Sequence, residues 1–246
     1  MNKKIPVGAV GMGKGKEENI MQLQERDKKI MQCCHEQGFL GTDLVEQYFF
    51  QSMDRRARER ILELERAGFI QRAAAAVLKG RRIIRLTRRG HDIVRETDPF
   101  NLPMARRLDL STLAHDHFVS SVRLRLQELW SGTWIPERAL KSDEFIRIPD
   151  GVFLFPSGRK IAVELENSAK HRPRFLKLLQ GWLRGDITMV LFVVTSAPLF
   201  ALLKKYLADG PKDFPFALVE WEQLKAGTPK AWSIRGEINL FERSTF

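Results

Sequence analysis

Cysteine is scarce in this chain, with two in 246 residues, side by side at Cys33 and Cys34. Adjacent cysteines build no disulfide framework, and they lack the spacing of a zinc site even with His35 beside them. They read as small apolar side chains buried in a helix. His115 and His117 also lack Cys or Glu partners at metal-ligand spacing. Long apolar runs are missing too: nothing approaches the roughly 20 residues of a membrane-spanning helix. The longest run, residues 187–194, has the length and β-branched content of a buried strand. The first residues carry lysines with no apolar stretch behind them, so no secretory leader is expected and the cytoplasm is the default compartment. Residues 1–20 mix Gly, Lys and Glu with little to bury, which predicts a flexible tail.

Positive charge is abundant. The chain holds 41 Lys/Arg against 30 Asp/Glu, a formal net charge of +11. The excess lies in two blocks, 13 against 7 over residues 51–100 and 7 against 3 over residues 151–200, while the other stretches to residue 150 balance at 7 against 7. A basic block supplies the salt-dependent attraction of nucleic-acid binding. It would also suit an anionic membrane, but no amphipathic anchor accompanies it. Double-stranded DNA is therefore the expected partner, and a membrane is not.

The larger basic block coincides with a helix-and-hairpin pattern. Ser52 and Asp54 suit a helix start, Ala57, Ile61 and Leu64 fall on one apolar stripe, and Gly68 marks the stop. Arg55 lies opposite that stripe, with Arg56 and Arg58 to either side. Guanidinium groups suit phosphates and guanine edges. Residues 69–77 and 81–86 read as two strands with Lys79-Gly80 near the turn, and a further helix begins after Thr87. Upstream, one helix runs from about Leu23 to Gly38 and a second from Asp43 to Phe50. Three helices followed by a hairpin is the winged-helix order, in which the third helix enters the major groove and the hairpin touches the backbone. Candidate DNA contacts are Arg55, Arg56 and Arg58 on the helix and Lys79, Arg81 and Arg82 on the hairpin.

At 246 residues the chain has room for two domains with separate cores. Pro99 and Pro103 suggest a linker over residues 98–112, between a DNA-binding domain at 21–97 and a second domain at 113–246. The second domain reads as a helix over 113–130, strands over 134–140, 151–155 and 160–165, and a helix over 172–183. A strand over 188–195, a helix over 199–207 and a strand over 216–221 follow. The expected class is α+β, with an α/β second half.

Three carboxylates stand out in that half. Asp150 opens one strand, and Glu164 and Glu166 close the next. Alternation puts Glu164 and Glu166 on one face, and a hairpin pairing brings Asp150 beside them. Such carboxylates are hard oxygen ligands suited to Mg²⁺, which could activate water at a phosphodiester.

Here the sequence resembles the PD-(D/E)xK nuclease superfamily, of restriction-endonuclease-like fold. The resemblance implies that Asp150 and Glu164 bind metal. Glu166 stands where that family usually has a catalytic lysine, and Lys170 lies four residues further on. Two readings stay open: a Mg²⁺-dependent nuclease using Asp150, Glu164, Glu166 and Lys170, or a nuclease-like fold kept for binding, its carboxylates paired with nearby Arg and Lys.

The whole pattern also resembles the replication-relaxation family of plasmids and integrative elements. The similarity runs from Arg55-Arg56-Ala57-Arg58 and Leu64-Glu65-Arg66-Ala67-Gly68 through Leu86-Thr87-Arg88-Arg89-Gly90 and Leu113-Ala114-His115-Asp116. It ends in Pro149-Asp150-Gly151-Val152-Phe153 and in residues 162–168. It implies a mobile-element DNA-binding protein, acting as transcriptional regulator or as accessory factor in replication or mobilisation. A relaxase or replication protein would be the partner. A homodimer on an inverted repeat is expected, because one such module contacts few base pairs. DNA binding itself requires no cofactor.

Overall fold

The first helix, α1 (Glu25–Gln37), starts where the Asp27 carboxylate accepts a hydrogen bond from the Gln24 N–H at 2.8 Å. That satisfies one of the N–H groups a helix start leaves unpaired. It ends at Gly38, whose φ of 84° suits a residue without a Cβ. The computed structural model to which this helix belongs describes residues 21–105, 107–140, 148–182, 186–210, 212 and 215–240. Among them the chain is a mixture of helices and strands of the α+β class.

After α1 come β1 (Leu40–Gly41) and α2 (Thr42–Leu44), which runs on into a wider π turn at Val45–Phe49. Then follow α3 (Asp54–Arg66), β2 (Ile70–Ala74), β3 (Arg82–Leu86) and α4 (Arg88–Arg95). The three strands pair antiparallel in the order β1-β3-β2. Ile30, Met31, Ala57, Ile61, Leu64 and Ile84 meet in one buried cluster. The expected start of α3 shifts by one residue. Met53 is its N-cap, and Ser52 sits in the left-handed region at φ 62° with its N–H on the Glu46 carbonyl. The hairpin strands are shorter than the sequence suggests. Ala75 and Leu78 leave the ladder to pack on Phe39, Ile83 and Leu113, and Lys79 and Gly80 complete the turn at φ 54° and 80°.

The second half opens with α5 (Leu113–Leu129) and continues through β4 (Thr133–Pro136), β5 (Gly151–Leu154), β6 (Lys160–Glu166), α6 (Arg172–Gly181) and β7 (Met189–Val194). It ends with α7 (Ala197–Ala208), β8 (Phe216–Glu220), α8 (Trp221–Lys225), β9 (Lys230–Ser233) and β10 (Gly236–Asn239). β4 stops at Pro136, which has no N–H to carry the ladder on. The seven strands form one sheet in the order β10-β9-β8-β7-β6-β5-β4. The β6-β7-β8 pairs are parallel and the others antiparallel. Val122, Leu126 and Leu129 of α5 cover one face of the sheet, and Phe175, Leu179, Leu203 and Leu207 of α6 and α7 cover the other. A strand covered on both faces reads as a continuous apolar run, and all six residues of β7 are buried.

The two halves share α5. Leu124 joins the core of the first half, and Leu113 joins the hairpin cluster. The ion pair of Arg123 with Glu36 bridges them, both side chains about 95% buried. Within the stretch expected as a linker, residues 98–105 are tied to both. Asp98 takes the ring of buried His35 at 2.9 Å and the N–H groups of Phe100 and Leu102. Arg138 donates to the carbonyls of His35 and Pro103, and Arg85 donates to that of Ala105. Among the described residues no helix is long and apolar enough to cross a membrane.

Candidate functional site

The arginines of α3 sort by helical position. Arg60 faces α1 and is held by Asp27 through Nε at 3.0 Å and Nη2 at 2.5 Å, so it serves the fold. Arg55 and Arg56 stand exposed on the first turn. Arg55 donates from Nε to Glu59 at 2.8 Å, and Arg58 lies 3.5 Å from Asp54 and 3.6 Å from Glu46. The turn is therefore less purely cationic than its arginines alone suggest. Exposed pairs of this kind hold weakly, by about 0–1 kcal/mol, and exchange readily for phosphate oxygens.

Strand alternation sorts the hairpin in the same way. Ile84 and Leu86 of β3 point into the first core, and Arg82 shares their face. Arg82 lines a groove between α3 and the hairpin together with Arg58 and Arg72, with Thr42, Glu46 and Leu62 completing its walls. Arg72 is positioned by Glu65, which takes its Nε at 2.6 Å and its backbone N–H at 3.0 Å. The guanidinium beside Glu65 holds that carboxyl below its ordinary range. Arg81 lies on the opposite face of the hairpin, where it meets Asp43 at 2.9 Å and His117 at 3.3 Å. Lys79 is exposed at the tip.

The structure thus gathers Arg58 and Arg82, leaves Arg55, Arg56 and Lys79 exposed nearby in sequence, and turns Arg81 toward α5. Arg72 is the groove residue that the sequence pattern did not single out. Its signal was alternation, which puts it on the same face as Arg82.

The carboxylates occupy the far end of the second sheet. The ladder that pairs Gly151 with Val163 places Asp150 next to Glu164. Asp150 spends both oxygens on protein partners: Oδ2 accepts from the Leu165 N–H at 2.7 Å, and Oδ1 meets His115 Nε2 at 3.0 Å. Glu164 and Glu166 are buried on the α6 side, and Glu166 is paired with Lys170. Among the described residues no three His, Cys, Asp or Glu side chains are gathered in a metal-holding group.

His115 stands in the motif at the helix start, where spacing alone assigns it no role. Its hydrogen bond to Asp150, followed by the charges of Asp150, Asp116 and Glu137, raises its pKa. Burial, then the neighbouring carboxylates, holds both Asp116 and Glu137 above their ordinary values. The negative field around Asp150 thus favours a cation, and the His115 ring supplies one when protonated. The Asp150 oxygens are thus held by Leu165 and His115, and a Glu166 oxygen by Lys170.

Comparison with known proteins adds no relative: the chain matches no family model, no curated protein and no solved structure.

Proposed function

We propose that the chain is a sequence-specific double-stranded DNA-binding protein, a winged helix fused to a nuclease-like domain that binds rather than cleaves. The observation that carries this reading is the groove between α3 and the hairpin, lined by Arg58, Arg72 and Arg82. Exposed Arg55 and Arg56 extend the basic surface along the first turn of α3. Helix order and strand order support it: α1, α2, α3 and a hairpin, with β1 completing a three-stranded sheet. The first turn of α3 would read base edges while the arginines of the groove engage phosphates. The resemblance to replication-relaxation proteins points to a regulator or an accessory factor in plasmid replication or mobilisation. The Asp150 partners favour the non-catalytic reading of the second half over a Mg²⁺-dependent nuclease.

The test is fluorescence anisotropy with a duplex from the region upstream of the protein's own gene and an unrelated duplex of equal length, across a salt series. Binding that weakens steeply with salt and prefers one duplex is expected. No binding to either duplex at about 10⁻⁴ M protein, the weak end of ordinary non-specific affinity, overturns the reading.

A further inference from the structure

A cavity of about 290 Å³ lies where the β9–β10 hairpin curls over the opening ends of β6, β7 and β8. Its walls are apolar, built mainly by Ile161, Met189, Phe216 and Ile238. Arg159 and Arg235 also line it, and both are exposed. Both donate hydrogen bonds from the backbone N–H, and among the described residues neither guanidinium has a partner. The carboxylate that also reaches the cavity, Glu237, is paired with Lys230 at 3.1 Å. The cavity is remote from the carboxylate cluster. Ile161 and Glu166 stand five residues apart on β6, about 17 Å along the strand.

An apolar chamber with a few polar groups is the usual form of a small-molecule site. Here the two unpaired groups carry the same charge, and a guanidinium prefers a carboxylate, which it can hold through two parallel hydrogen bonds. A cavity of about 290 Å³ is near the lower end of the range that small-molecule sites occupy. We propose that this cavity binds a small organic carboxylate with an apolar body, its chain on Ile161, Met189 and Phe216 and its charged head at Arg159 and Arg235. The proposal does not depend on DNA binding.

The probe is octanoate, which joins a carboxylate to an unbranched apolar chain. The readout is the ¹³C-methyl resonance of Met189 in the full chain, assigned with a volume-conserving Met189→Leu variant. Octanoate is expected to shift that resonance saturably. Acetate, with the charge but no body, should leave it in place. Octanol, with the body but no charge, should bind about ten-fold more weakly, since it offers the guanidinium one neutral acceptor in place of two charged oxygens held in parallel. Arg159→Ala with Arg235→Ala changes two exposed side chains and should weaken octanoate by a similar factor while leaving the melting temperature unchanged. No Met189 shift up to millimolar octanoate overturns the site. Equal affinity for octanol and octanoate, or an unaffected double variant, overturns the carboxylate assignment.

Discussion

Arg81 and Asp43 meet at 2.9 Å on the side of the hairpin that faces α5, with His117 3.3 Å from both. The contact links three elements: the hairpin, the start of α2 and the first turns of α5. It sets Arg81 apart from its neighbour Arg82, which lines the groove beside α3.

The neighbours should therefore respond differently to neutralisation. Arg82→Ala and Arg58→Ala are expected to weaken binding to all duplexes and to flatten the salt dependence by about 0.9 log unit for each phosphate left without its cation. Arg81→Ala should leave the salt slope unchanged and lower stability by about 1 kcal/mol, because Arg81 is more than half exposed. Anisotropy titrations at several salt concentrations, with melts of the same variants, separate the two roles. A flattened slope for Arg81→Ala would place it on the DNA instead.

Acid should loosen the junction. Burial alone would raise the Asp43 carboxyl, but the His117 hydrogen bond and the charges of His117 and Arg81 outweigh it and hold the pKa below its ordinary value. Asp98 is depressed in the same way: burial opposes, and His35 and the Phe100 and Leu102 N–H groups prevail. A carboxyl depressed on folding stabilises fully above its unfolded pKa of about 3.9, and that contribution is lost as pH falls through the folded value. Urea denaturation should show stability dropping below about pH 4, with a shallower acid limb in Asp43→Asn. An unchanged limb in that variant would remove Asp43 from the account.

The shared helix predicts one cooperative unfolding transition. Arg123→Ala leaves Glu36 buried without its partner, which typically costs about 3–5 kcal/mol. Replacing Arg123 and Glu36 together with methionine should recover most of that loss, because a well-packed apolar pair is often as stable as a buried ion pair. Calorimetry showing two separate transitions would mean that α5 does not couple the halves.

These contacts mark the limit of what the sequence could reveal. α3 was legible because Ala57, Ile61 and Leu64 repeat at the helical period, and β7 because a strand buried on both faces is apolar throughout. The different fates of Arg81 and Arg82 were not legible. Ile83 and Ile84 are both apolar, so the pattern does not say which hairpin face α5 covers. β9 and β10, four residues each, are too short for their alternation to stand out. The hairpin strands are shorter than the pattern suggests because Ala75 and Leu78 answer to tertiary contacts rather than local preference. The neighbourhood of Asp150 and Glu164 followed from strand pairing, but the His115 partner lies 35 residues away and carries no local signal.

Asp150→Asn tests whether Asp150 is held by its partners or crowded by like charges, because the two predict opposite signs. Were the clustered carboxylates dominated by mutual repulsion, neutralising Asp150 without metal would stabilise the fold. Instead its oxygens accept from the Leu165 N–H and meet the His115 ring, so asparagine should cost about 1 kcal/mol, the difference between a charged and a neutral acceptor. The loss should also depend on pH. Asp150 raises the His115 pKa above the unfolded value of about 6.5, so the stabilisation is fully present below that pH and fades as pH rises through the folded value. The variant should therefore fall furthest behind the natural chain near pH 6 and recover in part toward pH 9. Melts of both proteins at each pH, with and without millimolar Mg²⁺ or Mn²⁺, complete the test alongside a plasmid-nicking assay with EDTA as control. No metal-induced shift and no nicking are expected. A melting temperature that rises with Mg²⁺ in the natural chain and not in Asp150→Asn, together with nicking, would establish the nuclease, since a ligand that binds only the folded state stabilises it by mass action.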